Sequence, residues 1–267
     1  MKKQNNIVIL KNIDDGVTRL TLNDENTGNS LSEEMITALE ENIKTLSLDK
    51  TVKVIIIDAI GSVFSSGHNL KEITNARQND DKGEIYFKNL FDQCSQLMQL
   101  IVYCPKPIIA QVDGIATAAG CQLVASCDLA ISSSEAKFAT PGVNIGLFCS
   151  TPMVALSRNV NKKDAMKMLL TGDFINASEA KRIGLINDFV SSEDLKINVD
   201  NLANKIAKKP SSTIETGKKA FYKQHELELS QAYEYTSQIM SENILDHDAI
   251  EGIGSFLGKR KPNWKDS

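Results

Sequence analysis

Two stretches decide the fold: Phe64-Ser65-Ser66-Gly67-His68-Asn69-Leu70-Lys71-Glu72 and Asp113-Gly114-Ile115-Ala116-Thr117-Ala118-Ala119-Gly120-Cys121-Gln122-Leu123. Each follows a continuous apolar run, Val54–Ile57 before the first and Ile108–Val112 before the second, as expected of strands buried on both faces. The first stretch is small and polar and predicts a loop. The second turns at Asp113-Gly114 and continues into a helix of small residues. Alternation of this kind indicates an α/β core.

The alternation of strand and helix patterns begins near the N-terminus and continues to about residue 190. Val17–Leu22 alternates with period two after a turn signal at Asp14-Asp15-Gly16. A helical stripe then follows the candidate N-cap Ser32 and consists of Ile36, Leu39, Ile43 and Leu46. Beyond Val190 the strand patterns disappear. The sequence therefore predicts an α/β core of residues 1–190 and a C-terminal helical region of residues 191–267.

Composition and charge exclude several classes of protein. The net charge is 30 − 34 = −4, which argues against a nucleic-acid partner, because such proteins need a positive surface. No apolar run approaches the ~20 residues that cross a bilayer, and the one near the N-terminus is too short for a signal peptide. The odd number of cysteines, 5, favours reduced thiols and a cytoplasmic, bacterial-type location. The 3 histidines lack zinc-like spacing, so we expect no metal site.

Together with Phe138-Ala139-Thr140-Pro141, the two stretches resemble the crotonase superfamily, whose founding members are enoyl-CoA hydratases and isomerases. Leu170-Thr171-Gly172 and Gly252–Trp264 resemble later segments of the same family, in the same order. The resemblance covers nearly the whole chain. It implies a spiral of ββα units followed by a helical region. It also implies an acyl-CoA thioester as the ligand, so that coenzyme A is part of the substrate and no separate cofactor is needed.

The resemblance assigns an oxyanion hole to the backbone N–H groups of His68 and Ala119. A thioester enolate carries negative charge on the thioester oxygen, and two N–H groups aimed at that oxygen stabilise the charge. Ala119 stands where a helix is predicted to begin, and a helix N-terminus adds partial positive charge. The small residues around Ala119 let a thioester approach the backbone closely.

Hydratases of this family use two glutamates to move the protons of water addition. The resemblance places these glutamates at Gln122 and Gly142 of this chain. Glutamine cannot accept and return a proton at neutral pH, and glycine has no side chain. The chain therefore resembles an acyl-CoA enzyme in which both hydratase carboxylates are substituted. A malonyl-type acyl-CoA decarboxylase, a thioesterase, a weak hydratase that uses ordered water and a non-catalytic acyl-CoA-binding protein are the alternatives.

The resemblance also implies contacts with coenzyme A. It places Asn69, Leu70 and Lys71 near the adenine and the phosphates. Phe256 and Lys259 belong to the C-terminal helix that, in the family, can reach the phosphates, sometimes those of a neighbouring subunit.

The helical region predicts self-association. Its apolar stripes, such as Tyr233, Met240 and Ile244, need a partner surface to be buried. Members of the family form trimers that often pair as hexamers, so we expect a trimer or a dimer of trimers.

Overall fold

The computed structural model of the protein describes residues 6–13 and 16–265, and the turn predicted at Asp14-Asp15 lies outside this part. The strands are β1 (Val8–Asn12), β2 (Val17–Leu22), β3 (Val54–Ala59), β4 (Val63–Ser65), β5 (Ile108–Val112), β6 (Ile115–Thr117), β7 (Leu129–Ser133), β8 (Lys137–Ala139), β9 (Ile175–Asn176) and β10 (Asp188–Val190). The helices are α1 (Glu33–Leu48), α2 (Leu70–Ala76), α3 (Glu84–Tyr103), α4 (Ala119–Ser126), α5 (Pro152–Asn159), α6 (Lys162–Thr171), α7 (Ala177–Arg182), α8 (Ser192–Ala207), α9 (Ser211–Gln224), α10 (Leu229–Asn243) and α11 (His247–Leu257). Short 3₁₀-helices span Glu25–Thr27 and Pro141–Ile145.

The strands form two sheets, one of six strands and one of four. One sheet has the order β1-β2-β3-β5-β7-β10 and the other the order β4-β6-β8-β9. Strands β3, β5 and β7 are parallel neighbours in the first sheet, and β4, β6 and β8 are parallel neighbours in the second. In the pairs β3–β4, β5–β6 and β7–β8, the chain thus places one strand in each sheet before the next helical segment. This is the expected spiral of ββα units.

The apolar run in β3 is buried on both faces, as its sequence predicts. Ile55 and Ile57 belong to the larger core, which also contains the buried residues of α1, α3 and α4. Val54 and Ile56 point to the opposite face and belong to a second core. The stripe predicted for α1 is buried, and Ser32 caps that helix by accepting a hydrogen bond from the Met35 N–H at 3.1 Å.

Helix α8 covers the second face of the large sheet. Its buried side chains, which pack with Val54 and Ile56, are Leu195, Val199, Ala203 and Ala207. Arg19 of β2 forms an ion pair with Asp200 of this helix, with 2.6 Å between Nη2 and Oδ1. The structure therefore differs from the predicted division at residue 190, because the first helix beyond that residue packs as part of the α/β core.

Helix α9 is joined to the core by a buried carboxylate. Asp128 Oδ2 lies 2.6 Å from Lys218 Nζ and accepts the Ile108 N–H at 2.7 Å, while Oδ1 accepts the Tyr222 hydroxyl at 2.9 Å. Few residues of the last three helices are buried: Ala220 in α9, Ala232 in α10, and Asp248 and Ser255 in α11. In the described ranges, no helix has both the length and the apolar character needed to cross a membrane.

Candidate active site

Two loops meet at the edge of the small sheet. Strands β4 and β6 are parallel neighbours, so the loop containing His68 and the start of α4 lie at the same edge. Gly67 has φ +87°, and a Cβ at this position would stand 2.9 Å from the Ala118 Cβ and 3.2 Å from the Ala119 nitrogen. Glycine is required here because of both its positive φ and this close contact. The two residues with predicted N–H donors, His68 and Ala119, are thereby brought together.

Both N–H groups lack an acceptor in the described part of the chain. Ala119 is the first residue of α4, and the first hydrogen bond of the helix runs from the Gln122 N–H to the Ala118 carbonyl at 3.0 Å. An N–H in the first turn of a helix has no intrahelical partner. Neither the Ala119 N–H nor the His68 N–H donates a hydrogen bond to a residue that the structure describes. Both are therefore available to an acceptor atom of a ligand.

The start of α4 is held in an uncommon backbone conformation. Ala118 has φ 51° and ψ −120°, and its N–H donates to the Ala139 carbonyl at 3.0 Å. A Cβ at Gly120 would stand 2.3 Å from the Ser65 carbonyl oxygen. Glycine at 120 thus lets α4 pack directly against the end of β4. Strained non-glycine residues concentrate at functional sites.

The His68 imidazole is fixed in one tautomer. Its Nδ1 lies 3.3 Å from the Leu31 carbonyl oxygen, which can only accept, so Nδ1 carries the proton. Its ring packs edge-on against Phe91, with 5.4 Å between centroids. Burial lowers the pKa of His68, against a smaller raising effect of the Leu31 hydrogen bond, and so favours the neutral ring. Nε2 is buried and has no hydrogen-bond partner among the described residues.

Gln122, where the resemblance places the first hydratase glutamate, lies in the first turn of α4. It is only 4% exposed, yet its Oε1 is buried without a hydrogen-bond partner in the described structure. The Thr140 hydroxyl, next to the Ala139 carbonyl that holds Ala118, is likewise buried and unpartnered there. Three polar atoms, from His68, Gln122 and Thr140, are thus buried without a partner among the described residues, on segments that flank the two N–H groups. Sequence reasoning assigned His68 only a backbone role and did not identify Thr140.

Gly142, where the resemblance places the second hydratase glutamate, is packed too tightly to carry a side chain. A Cβ there would stand 2.6 Å from the Leu147 carbonyl oxygen and 2.9 Å from the Cys149 sulfur. Cys149 is buried, and burial raises the pKa of its thiol, against a smaller lowering effect of the Gly142 backbone. The thiol is therefore protonated at neutral pH.

The residues predicted to contact coenzyme A fall into two groups. Asn69 follows His68 directly and caps α2, since its Oδ1 accepts the Lys71 N–H at 3.0 Å. Leu70 and Lys71 are exposed beside it. Phe256 and Lys259 are exposed at the end of α11, and no hydrogen bond or ion pair between described residues joins them to the loop of His68. The first group follows His68 directly in the chain, whereas the second lies at the C-terminal end of α11.

The comparisons with known proteins agree with this geometry. The family model described as enoyl-CoA hydratase/isomerase matches residues 12–267. The chain belongs to the enoyl-CoA hydratase/isomerase family, and the crotonase-type fold expected from the sequence is confirmed.

The most similar relatives share a name. The chain is 47% identical over 252 residues to enoyl-CoA hydratase domain-containing protein 3, mitochondrial, of Xenopus laevis, which covers 94% of this chain and 84% of that protein. The human protein of the same name is 46% identical over 250 residues, covering 94% and 81%. A crystal structure described as an enoyl-CoA hydratase of Mycobacterium smegmatis has a TM-score of 0.92 and 43% identity, covering 97% of this chain and 98% of that one. The crystal structure of human enoyl-CoA hydratase domain-containing protein 3 has a TM-score of 0.91 and 44% identity, covering 97% of this chain and 100% of that one.

The expected bacterial-type cytoplasmic location is wrong by this comparison. The vertebrate relatives are named as mitochondrial proteins, which points to mitochondria rather than to such a cytosol. The five cysteines are free and buried, as expected. Reduced thiols argue only against an oxidising compartment, so they could not distinguish one reducing compartment from another.

Proposed function

We propose that the protein binds acyl-CoA thioesters and stabilises a thioester enolate with the backbone N–H groups of His68 and Ala119. The close packing at Gly67 carries this proposal. A Cβ there would lie 3.2 Å from the Ala119 nitrogen, so the loop of His68 and the start of α4, each with an unpaired N–H group, are close to one another. Both are main-chain groups fixed by the fold, so they need no reorganisation as negative charge develops. The N-terminus of α4 adds positive potential at the same point.

We further propose that the site does not support ordinary hydration. Water addition needs groups that give and take protons near the acyl carbons. Gln122 has an amide that does not ionise, Gly142 has no room for a side chain, and the Cys149 thiol stays protonated at neutral pH. These substitutions leave a site suited to holding and polarising a thioester.

The ¹³C chemical shift of a bound thioester carbonyl tests this proposal. Butyryl-CoA labelled with ¹³C at the carbonyl is titrated into the full chain, and we expect its resonance to move downfield as two N–H groups polarise the bond. Gly67→Ala should abolish this shift, because its Cβ would stand 2.9 Å from the Ala118 Cβ and 3.2 Å from the Ala119 nitrogen and would displace the loop of His68 from the start of α4. Gly28→Ala is the matched control. It places a Cβ at another positive φ, +66°, but has no contact closer than 3.4 Å. Binding without a downfield shift, or no binding of any thioester, would overturn the proposal.

Turnover assays with several acyl-CoA thioesters distinguish the possible reactions. We expect crotonyl-CoA hydration to remain well below ~1 s⁻¹, an ordinary enzyme rate. Hydration above that rate would contradict the proposal. In the same panel, release of CO₂ from methylmalonyl-CoA would identify the decarboxylase alternative, and release of free coenzyme A would identify the thioesterase. Binding without turnover of any thioester would indicate a non-catalytic acyl-CoA-binding protein.

We also propose that the protein forms a trimer or a dimer of trimers through α10 and α11. In the single chain these helices expose large apolar side chains, including Tyr233, Met240, Ile250, Ile253 and Phe256. Clustered apolar exposure of this kind marks an interaction surface. Phe256 and Lys259 lie on it, so they would reach coenzyme A bound by a neighbouring subunit. Light scattering should give three or six times the chain mass of 29.3 kDa, and a stable monomer would contradict the assembly.

A further inference from the structure

The chain reverses its direction after α11 and returns along that helix as residues 260–265, which we call the C-terminal strap. Lys259 stands at the reversal with a φ of 50°, in the left-handed region. Its N–H donates to the Phe256 carbonyl at 3.2 Å, and the Arg260 N–H donates to the Ser255 carbonyl at 3.0 Å. These two hydrogen bonds form a Schellman motif, in which glycine usually occupies the left-handed position. Non-glycine residues in such strained conformations concentrate at functional sites.

Glu251 of α11 holds the strap against the helix. Its two carboxylate oxygens accept hydrogen bonds from Arg260 Nη1 and Nη2 at 2.6 and 2.7 Å, as a bidentate pair. Oε1 also accepts the Asn263 N–H at 2.8 Å. The hydrogen bonds from Arg260 and then Asn263 lower the pKa of Glu251 to about 2, so the carboxylate is charged at neutral pH. One helix side chain thus fixes the strap at two points on the far side of the reversal.

Trp264 connects the strap to the α/β core. Its Nε1–H donates to the Lys208 carbonyl at 3.1 Å, at the C-terminal end of α8, where the last carbonyl groups of a helix lack intrahelical partners. The indole also packs on α11 at Gly252, where a Cβ would stand 3.3 Å from the ring. Because α8 packs on the large sheet, Trp264 fixes the end of α11 relative to the core.

The strap covers the polar side of α11 and leaves its apolar side outside. Asp248 is buried, and its Oδ1 accepts the Lys265 N–H at 2.8 Å. Ser255, two helical turns further on, is buried on the same side. The opposite side of the helix carries the exposed residues Ile250, Ile253 and Leu257. The contacts with the strap therefore determine which side of α11 a neighbouring subunit could cover.

We propose that Glu251 and Trp264 are positioning residues, which fix the strap and thereby hold Lys259 where its ammonium group meets a phosphate of bound coenzyme A. This inference rests on the proposed function, in which Lys259 reaches coenzyme A bound by a neighbouring subunit. The lysine ammonium is a point charge on a flexible four-carbon stem. A backbone that is already fixed at the reversal lowers the entropy lost when this stem is ordered by a phosphate.

A double-mutant cycle tests whether the strap acts through Lys259. Calorimetry with the full chain measures the Kd of butyryl-CoA. We expect Glu251→Ala, Trp264→Ala and Lys259→Ala each to weaken binding on the order of tenfold, as the loss of one charged hydrogen bond implies. Glu251→Ala/Lys259→Ala should be no weaker than Lys259→Ala, because both substitutions remove the same contact. Additive losses, or unchanged affinity in Glu251→Ala, would overturn the inference. Failure of the native chain to bind any thioester would instead remove the proposed function.

Fluorescence shows directly whether the strap has been released, because Trp264 is the single tryptophan of the chain. Glu251→Ala should shift the emission to longer wavelength and increase its quenching by acrylamide, as the indole leaves α11. Glu179→Ala is the matched control, since Glu179 also accepts a bidentate pair, from Arg182 at 2.7 and 2.8 Å, but lies on α7. It should change neither the emission nor the affinity. A released strap with native affinity, or an equal loss of affinity in the control, would overturn the inference.

Discussion

The Cys149 sulfur occupies the space that a side chain on Gly142 would need, since a Cβ at position 142 would lie 2.9 Å from that sulfur. The Leu147 carbonyl oxygen, 2.6 Å from the same point, closes the remaining room. The loop after the 3₁₀-helix therefore occupies the position at which the family resemblance places a hydratase glutamate. A carboxylate at position 142 would therefore need a displacement of this loop as well as a change of residue.

Gly142→Ala should destabilise the protein. The added methyl group must displace a backbone carbonyl and a buried sulfur, and such overpacking costs typically about 1–3 kcal/mol. Gly217→Ala is the matched control, because nothing lies within 4 Å of its Cβ position in helix α9. There alanine should stabilise the helix by up to about 1 kcal/mol. Guanidinium unfolding measures both, and equal effects of the two substitutions would contradict the packing argument.

Restoring both glutamates should not restore hydration. In Gln122→Glu/Gly142→Glu, the second carboxylate cannot occupy its position unless the loop of Leu147 and Cys149 moves. We expect crotonyl-CoA hydration to stay below ~1 s⁻¹. Gln122→Glu alone is the control for the effect of a single buried carboxylate. A double variant that hydrates at ordinary rates would show that the site lacks only the two side chains.

Local patterns predicted much of the fold. The run Val54–Ile57 predicted a strand buried on both faces, and Ser32 predicted the start of α1. Strand β6 was not predicted, because its three residues, Ile115–Thr117, are too few to show a period. Nor was the packing of α8 on the sheet, because an amphipathic stripe does not specify which surface covers it.

The candidate site was predictable only in part. The resemblance assigned main-chain donors to His68 and Ala119, and this assignment stays a prediction. The contact of Gly142 with Cys149 joins residues across a loop, and the partner of the His68 ring is the carbonyl of Leu31, 37 residues earlier. Such contacts arise from tertiary packing, which one sequence does not specify.

His68 should make the protein less stable in mild acid. Its folded pKa is lowered, mainly by burial, so the unfolded chain binds the proton more readily. The stability that the neutral ring contributes is present above about pH 6.5, the ordinary pKa of histidine in an unfolded chain. It is lost as the pH falls through the lowered pKa of the folded state. Guanidinium unfolding at pH 7 and pH 5 should show a larger loss for the native sequence than for His68→Phe. An equal loss in both proteins would contradict a buried, neutral imidazole.

The Asp128–Lys218 pair should matter far more for stability than an ion pair at the surface. Both side chains are largely buried, and Lys218 Nζ also donates to the Ile101 and Lys106 carbonyls at 3.2 and 3.1 Å. Lys218→Met would leave the Asp128 carboxylate buried without its counter-charge. Breaking a buried pair in this way costs about 3–5 kcal/mol.

The matched control for that substitution is Lys181→Met. Its partner Asp188 lies 2.7 Å away, but the two side chains are 47% and 54% exposed, so the expected cost is about 0–1 kcal/mol. Asp128→Leu added to Lys218→Met should recover part of the lost stability, because it removes the unpaired charge and not only its partner. If Lys218→Met cost no more than Lys181→Met, α9 would be held to the core by its apolar contacts and the Tyr222 hydrogen bond alone.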